Sequence, residues 1–344
     1  MAETLATKYR PKTLEEMVAQ KSIIKILNRQ IESGDIHNVY LFCGASGCGK
    51  TSTARAFAAR INEVPYNKDM PGVIEIDAAS NNGVDSIREI VKSAQERSVQ
   101  SKYKVYIIDE CHSLTSNSWQ AFLKCIEEPP KHTIFIFCTT DPQKIPATIL
   151  NRVMRFNFTR IPADMIFNRL MYICECEGFT NYKDTCDYIS RICGGGMRDG
   201  ISLLEKCASY DNNLMLENCL AALGNFSYDV FFDLVNHIID GDEKAVINAV
   251  QNIYDQGNDL KLFVSQFLDF CLDIGKYILC QSLSVTKFPA NYEGKLKESV
   301  NFDNANKYYD YITSSVLNLL NTIKDSGNAL SIVTIMFLRM TRCQ

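Results

Sequence analysis

Short runs of β-branched and aromatic residues alternate, through the first half of the chain, with stretches whose apolar positions recur every three or four residues. Val39 to Cys43, Val73 to Asp77, Lys104 to Asp109 and Thr133 to Cys138 are the strand candidates, with Arg155 to Phe158 a weaker fifth. Helical spacing lies between them, at Lys50 to Ile61, Val84 to Arg97 and Ser118 to Glu127, and Pro129, Pro130, Pro142 and Pro146 punctuate the loops. This alternation predicts an α/β module, a parallel sheet with helices on both faces, whose ligand sits at the carboxyl ends of the strands. After about Pro162 the strand signals stop. Residues 163–223 read as several short helices broken by Gly178 and Gly194-Gly195-Gly196, and residues 224–344 as a second helical block with a break near Ser282 to Gly294. In that block Leu262, Phe263, Phe267, Phe270 and Cys271 have the spacing of one buried helix face.

Composition adds limits. At 344 residues the chain exceeds one comfortable core, so a module of residues 1–162, a small helical domain of 163–223 and an all-α domain of 224–344 are expected. The net charge of −4 conceals an asymmetry: residues 1–160 carry 21 Lys and Arg against 17 Asp and Glu, the remainder 15 against 23. A nucleic-acid surface, where one exists, belongs to the first half, although so mild an excess on its own better suits an ordinary solvated surface. Fourteen cysteines lack a framework of pairs and the N-terminus lacks a secretory pattern, which together predict a reducing compartment. Cys174 and Cys176 have no second pair at metal-ligand spacing and read as core thiols. No apolar stretch reaches the eighteen or so residues a bilayer requires.

The chemistry begins at Gly44-Ala45-Ser46-Gly47-Cys48-Gly49-Lys50-Thr51, a complete G-x-x-x-x-G-K-[ST] phosphate loop between a strand and a helix. Its glycines let backbone N–H groups converge on phosphate oxygens, Lys50 supplies a point charge, and Thr51 can ligate Mg²⁺. The strand Val105 to Ile108 ends in Asp109 and Glu110: the first can hold the metal's water shell, the second can polarise an attacking water, and the pair indicates hydrolysis. Thr140, at the tip of the next strand, projects a hydroxyl toward the same place. Arg152, after a short helix, and Arg198, opening a helix behind three glycines, are candidates to offset charge on a transferring phosphoryl group.

Taken in order, these residues resemble the clamp-loader ATPases of bacterial DNA polymerase III, the gamma/tau family within the AAA+ superfamily. The resemblance runs from Leu5-Ala6-Thr7-Lys8-Tyr9-Arg10-Pro11 through the phosphate loop, Asp77-Ala78-Ala79-Ser80, Ile107 to His112, Leu123 to Pro130, Thr139 to Pro146 and Ile149 to Arg152, to Gly196-Met197-Arg198-Asp199. It implies an AAA+ module followed by a helical lid and a collar. It also implies that residues 44–52 wrap the phosphates of ATP, with Mg²⁺ held through Thr51 and Asp109. Asp109 and Glu110 become the Walker B pair, Thr140 sensor 1, Arg198 sensor 2, and Tyr9, Arg10, Pro11 and Val18 the adenine pocket. Arg152 matches the arginine that enters the ATP site of the neighbouring subunit.

The partners so implied are a sliding clamp, primer-template DNA and other loader subunits in a ring or spiral of five, in the cytoplasm of a cell or of a virus's host. Departures narrow this. Ile61 to Val73 carries no cysteine where the family has a zinc module, so no zinc is expected; Asn151 and Val153 flank Arg152 in place of Ser and Cys. Asn81 and Asn82 stand where basic residues track DNA, leaving phosphate contacts to Arg88, Lys124 and helix N-terminal amides. Val99, in the segment Gln95 to Lys102, is the candidate clamp contact, and an end at Gln344 fits a compact gamma-like form without the polymerase-tethering tail. A branch-migration AAA+ ATPase and a non-hydrolysing structural loader subunit are the alternatives.

Overall fold

The computed structural model describes residues 3–67, 69–302, 304–323 and 328–342. The chain divides into two compact units, one of residues 1–169 with 193–202, the other of 170–192 with 203–344. The division cuts two helices, Ala163–Glu177 and Met197–Tyr210.

The first unit holds a five-stranded sheet of β1 (Val39–Cys43), β2 (Val73–Asp77), β3 (Lys104–Asp109), β4 (Thr133–Thr139) and β5 (Met154–Asn157), in the order β2-β3-β4-β1-β5. All neighbours are parallel. Each parallel step needs a crossover, which the intervening helices supply. Those are α3 (Lys50–Asn62), α4 (Val84–Ala94), α5 (Ser116–Glu127) and α6 (Ala147–Leu150), while α1 (Leu5–Lys8) and α2 (Lys21–Ser33) precede the first strand. The fifth strand forms one residue earlier than its sequence signal, and α4 stops at Ala94, short of the predicted Arg97.

Strand periodicity decides the two cores. In β1, Tyr40 and Phe42 point to one face with α2 and α3, packing on Phe57, Ile107, Ile136 and Phe156. Val39, Leu41 and Cys43 point to the other, with Ile87 of α4 and Trp119 and Phe122 of α5. Both faces of β1 and β4 are buried along their whole length, which is why those strands read as unbroken apolar runs. Register then gathers the strand ends: Asp77 lies opposite Asp109, and Cys43 opposite Thr139.

The second unit is helical among the described residues, apart from one parallel bridge between Thr180 and Asn213. It holds an aromatic core, with Phe231, Phe263, Phe267, Phe270, Phe288 and Phe337 all buried. Phe263, Phe267, Phe270 and Cys271 of the helix Leu260–Cys280 are buried as their spacing predicts, but Leu262 is 44% exposed and Val264 fills the core instead. The five predicted positions span more of the helix circumference than one packed face covers. The predicted break is real: Gln281 ends that helix at φ +51°, two 3₁₀ turns follow, and a further helix, Glu293–Ser299, begins.

The thirteen cysteines among the described residues are free thiols. Cys174 is buried with its sulfur 3.6 Å from that of Cys186, whereas Cys176 is exposed. No cluster of three or more His, Cys, Asp or Glu suited to a metal ion occurs among the described residues. No described helix is long and apolar enough to cross a membrane.

Candidate nucleotide site

The loop after β1 turns because three of its glycines take conformations other residues resist. Gly44, Gly47 and Gly49 have φ of +155°, +70° and +101°. Two of them also lie against backbone: a Cβ on Gly44 would stand 2.5 Å from Phe158 O, and one on Gly47 would stand 2.9 Å from Gly196 Cα. Met197 N donates to Gly47 O at 3.0 Å, so the turn that opens the helix Met197–Tyr210 is fastened to the loop. That closeness accounts for the glycine run at 194–196. Gly195 sits where a Cβ would meet Arg160 Cβ at 2.8 Å, and Ile161 N donates to Gly195 O at 3.0 Å.

One cleft within the first unit gathers most of the predicted residues. It is lined by Tyr9, Arg10, Pro11 and Val18, by residues 46–52 of the loop, by Asp109 and Glu110, and by Arg198. Gly44 and Ala45 form the base of the loop, offering their carbonyls to Lys50 Nζ at 2.8 and 2.9 Å. The ammonium group is thereby held inside the turn, buried to 6% exposure. Thr51 donates to Asp109 Oδ2 at 2.7 Å. A hydroxyl and a carboxylate side by side are hard oxygen donors of the kind Mg²⁺ takes, so these residues fit that ion.

Glu110 has φ +47°, a left-handed conformation that is strained for a residue bearing a Cβ. Its carboxylate is held from two directions: Thr140 donates to Oε2 at 3.2 Å, and His112 Nδ1 lies 3.3 Å from the same atom. His112 also stands 3.2 Å from Thr139 Oγ1, which accepts from Asp141 N at 3.0 Å. His112 and Thr139 lie in the stretches that carry the resemblance but were given no role there, although Thr139 adjoins Thr140 and His112 is two residues from Glu110.

Other lining residues had no local signal. Met17, Ile161, Arg169, Met197 and Ile201 complete the cleft from scattered positions. Gln20 is buried at φ +58°, donating to Thr159 O at 2.7 Å and Cys48 O at 3.5 Å while accepting from Thr159 N at 3.2 Å. Its amide ties the segment before α2 to the phosphate loop and to the exit of β5. Burial pushes the thiols of Cys43 and Cys48 above their ordinary value and those of Cys111 and Cys138 well above it. These sulfurs therefore stay protonated and act as packing.

Arg152 lies outside the cleft, in a groove with Asp35, His37, Asn38 and Glu127. Asn81, Asn82, Arg88 and Lys124 are exposed, the last two on α4 and α5, which pack together on one face of the sheet. Asp77 shapes the turn before α4, accepting from Ala79 N at 2.9 Å and Ser80 Oγ at 2.8 Å. Val99 is fully exposed.

Comparison with known proteins gives these features a family. A family model described as "DNA polymerase III, delta subunit" matches residues 19–162, and one described as "DNA polymerase III subunits gamma and tau domain III" matches residues 214–342. The Bacillus subtilis DNA polymerase III subunit tau is 35% identical over 286 residues, covering 78% of this chain and 51% of that protein. The Mycoplasma genitalium subunit gamma/tau is 29% identical over 334 residues, covering 92% of this chain and 55% of the relative. The chain thus spans about half the length of the curated relatives it matches. Among solved structures, the Thermotoga maritima RuvB Holliday junction branch migration motor superposes with a TM-score of 0.53 at 17% identity, over 67% of this chain and 79% of that one. That likeness is one of fold: a parallel sheet with helices on both faces and helical regions following it. With relatives named tau and gamma/tau at 34–35% identity over 78% of the chain, and the gamma and tau domain III model over residues 214–342, the chain belongs to the gamma/tau family of DNA polymerase III subunits.

Proposed function

We propose that the chain is an ATP-hydrolysing motor subunit of a sliding-clamp loader in DNA replication. The observation that carries this reading is the convergence of Lys50, Thr51, Asp109, Glu110 and Arg198 on one cleft, with Thr140 bonded to Glu110. A protein that only bound nucleotide would have no use for a carboxylate so constrained beside the phosphate loop. The membership in the gamma/tau family supports the clamp-loading context.

In this reading Tyr9, Arg10, Pro11 and Val18 hold the adenine, and the amides of residues 44–52 wrap the phosphates. Lys50 contacts the β- and γ-phosphates, and Arg198 closes over them. Thr51 and Asp109 hold Mg²⁺, which when bound offsets charge on the phosphate oxygens. Glu110 orients and polarises the attacking water, with Thr140 reporting the γ-phosphate to it. Arg152 belongs to the site of the adjacent subunit, so turnover requires a ring or spiral, pentameric by analogy with the family. Residues 1–162 are the motor, 163–223 the lid and 224–344 the oligomerising collar. ATP favours the assembly state that grips the clamp; primer-template DNA, contacted through Asn81, Asn82, Arg88 and Lys124, aligns Arg152 and triggers release. Val99 touches the clamp.

The test is the ATP hydrolysis rate with and without clamp and primed DNA. Stimulation by both together is the expected result. No stimulation, or full turnover in a protein shown to be monomeric, would sink the reading. A non-hydrolysing loader subunit is disfavoured by the intact Lys50, Asp109 and Glu110. The fold likeness to a branch migration motor carries no weight for that activity, because it stands at 17% identity beside gamma/tau relatives at 35%.

A further inference from the structure

Arg152 is restrained before any neighbour arrives. Its Nη1 donates to Thr148 O at 2.6 Å, and its Nη2 lies 2.8 Å from Glu127 Oε1. The two contacts use different nitrogens and come from different elements, so together they fix the plane of the guanidinium as well as its position. Thr148 belongs to α6, the short helix whose last turn Arg152 continues through its own amide, bonded to Ile149 O at 2.9 Å. Glu127 is the last residue of α5, a helix anchored in the core by Phe122, Cys125 and Ile126.

Stability does not explain this pair. Both side chains are 39% exposed, and an ion pair so open to water contributes little to folding. What the arrangement does provide is aim. Two N–H groups are engaged and the remaining three of the guanidinium are left for an incoming anion.

We propose that Glu127 is a positioning residue for Arg152, holding the guanidinium in the pose in which it enters the neighbouring subunit's ATP site. This rests on the assignment of Arg152 to a site in trans. An arginine oriented in advance need not be ordered as charge develops on the transferring phosphoryl group, so the loss should fall on turnover rather than on binding.

The experiment measures kcat, KM and equilibrium binding of a non-hydrolysable ATP analogue for Glu127→Gln, Arg152→Ala and the double variant, in the assembled full chain with clamp and primed DNA. Glu127→Gln is expected to lower kcat about tenfold, with analogue affinity within about twofold of the parent. In the Arg152→Ala background it should cost nothing further, because its effect runs through that arginine. An unchanged or raised kcat for Glu127→Gln overturns the inference alone, as does a loss that adds to that of Arg152→Ala. A silent Arg152→Ala overturns both the inference and the trans assignment beneath it.

Discussion

The Thr140 hydroxyl and the Glu110 carboxylate are hydrogen-bonded across 3.2 Å, joining the tip of β4 to the residue that follows β3. With His112 at 3.3 Å from the same oxygen, the carboxylate has two partners before any substrate is present. Removing its charge while keeping its shape should separate binding from chemistry. Glu110→Gln is expected to retain nucleotide and to lose hydrolysis by about 10²- to 10⁴-fold, checked by analogue binding alongside single-turnover rates. Thr140→Ala leaves the acid in place but removes one of its donors, so a smaller loss in the same direction is expected.

Gly47 tests the fit of the phosphate loop. An alanine there would need φ near +70° and would press its Cβ to 2.9 Å from Gly196 Cα, a backbone atom that cannot swing aside. Gly47→Ala should weaken nucleotide binding by at least about tenfold, since left-handed backbone alone costs roughly 1–2 kcal/mol. Gly275→Ala is the contrasting case. It lies inside the helix Leu260–Cys280 with nothing within 4 Å of an added Cβ, and should stabilise the protein by about 0.5–1 kcal/mol in chemical denaturation.

The sheet core offers a stability prediction that no ligand touches. Phe135 is fully buried, with ring centroids 5.3 Å from Tyr106, 5.9 Å from Phe122 and 6.2 Å from Phe137. Phe135→Ala removes a ring from the centre of that cluster. A loss of about 3–5 kcal/mol is expected from the urea midpoint of the first transition.

Acid should weaken the helical unit through Asp229. Burial alone would push this carboxyl up, but hydrogen bonds from Lys295 Nζ and the Tyr292 hydroxyl more than offset that and hold it below the ordinary carboxylate value. A group depressed on folding stabilises the folded state above its unfolded pKa, and that contribution is lost as pH falls through the folded value. Asp229→Asn should therefore cost a little near neutral pH, about 1 kcal/mol or less for so exposed a pair, and progressively less as pH falls below the unfolded carboxylate range and through the folded value. Thermal melts of both proteins across that range decide it.

The sheet, the phosphate loop and the acidic strand end were legible because each is written locally: short β-branched and aromatic runs, glycines at fixed spacing, charges just after an apolar run. The helix Lys21–Ser33 was passed over although Ile23, Ile24, Leu27 and Ile31 recur at helical spacing and pack on the sheet; it precedes the first strand and carries none of the candidate chemistry. Contacts between distant segments were equally silent. Gly47 meets Gly196, Gln20 reaches Thr159, and Glu127 reaches Arg152, none of which residue type or spacing announces. His112 is the instructive omission: it stands two residues from Glu110, but its use depends on Thr139 arriving from another strand.

If each ATP site is completed by a second copy or companion of the chain, two inactive variants should complement one another when mixed. Glu110→Gln keeps Arg152 but cannot hydrolyse; Arg152→Ala keeps Glu110 but cannot complete its neighbour's site. Each alone, in the assembled state with clamp and primed DNA, is predicted to be nearly inactive, and co-assembly is predicted to restore hydrolysis in sites where an intact Glu110 faces an intact Arg152. Hydrolysis by Arg152→Ala alone at the parent rate, or a mixture no more active than its parts, would contradict the account.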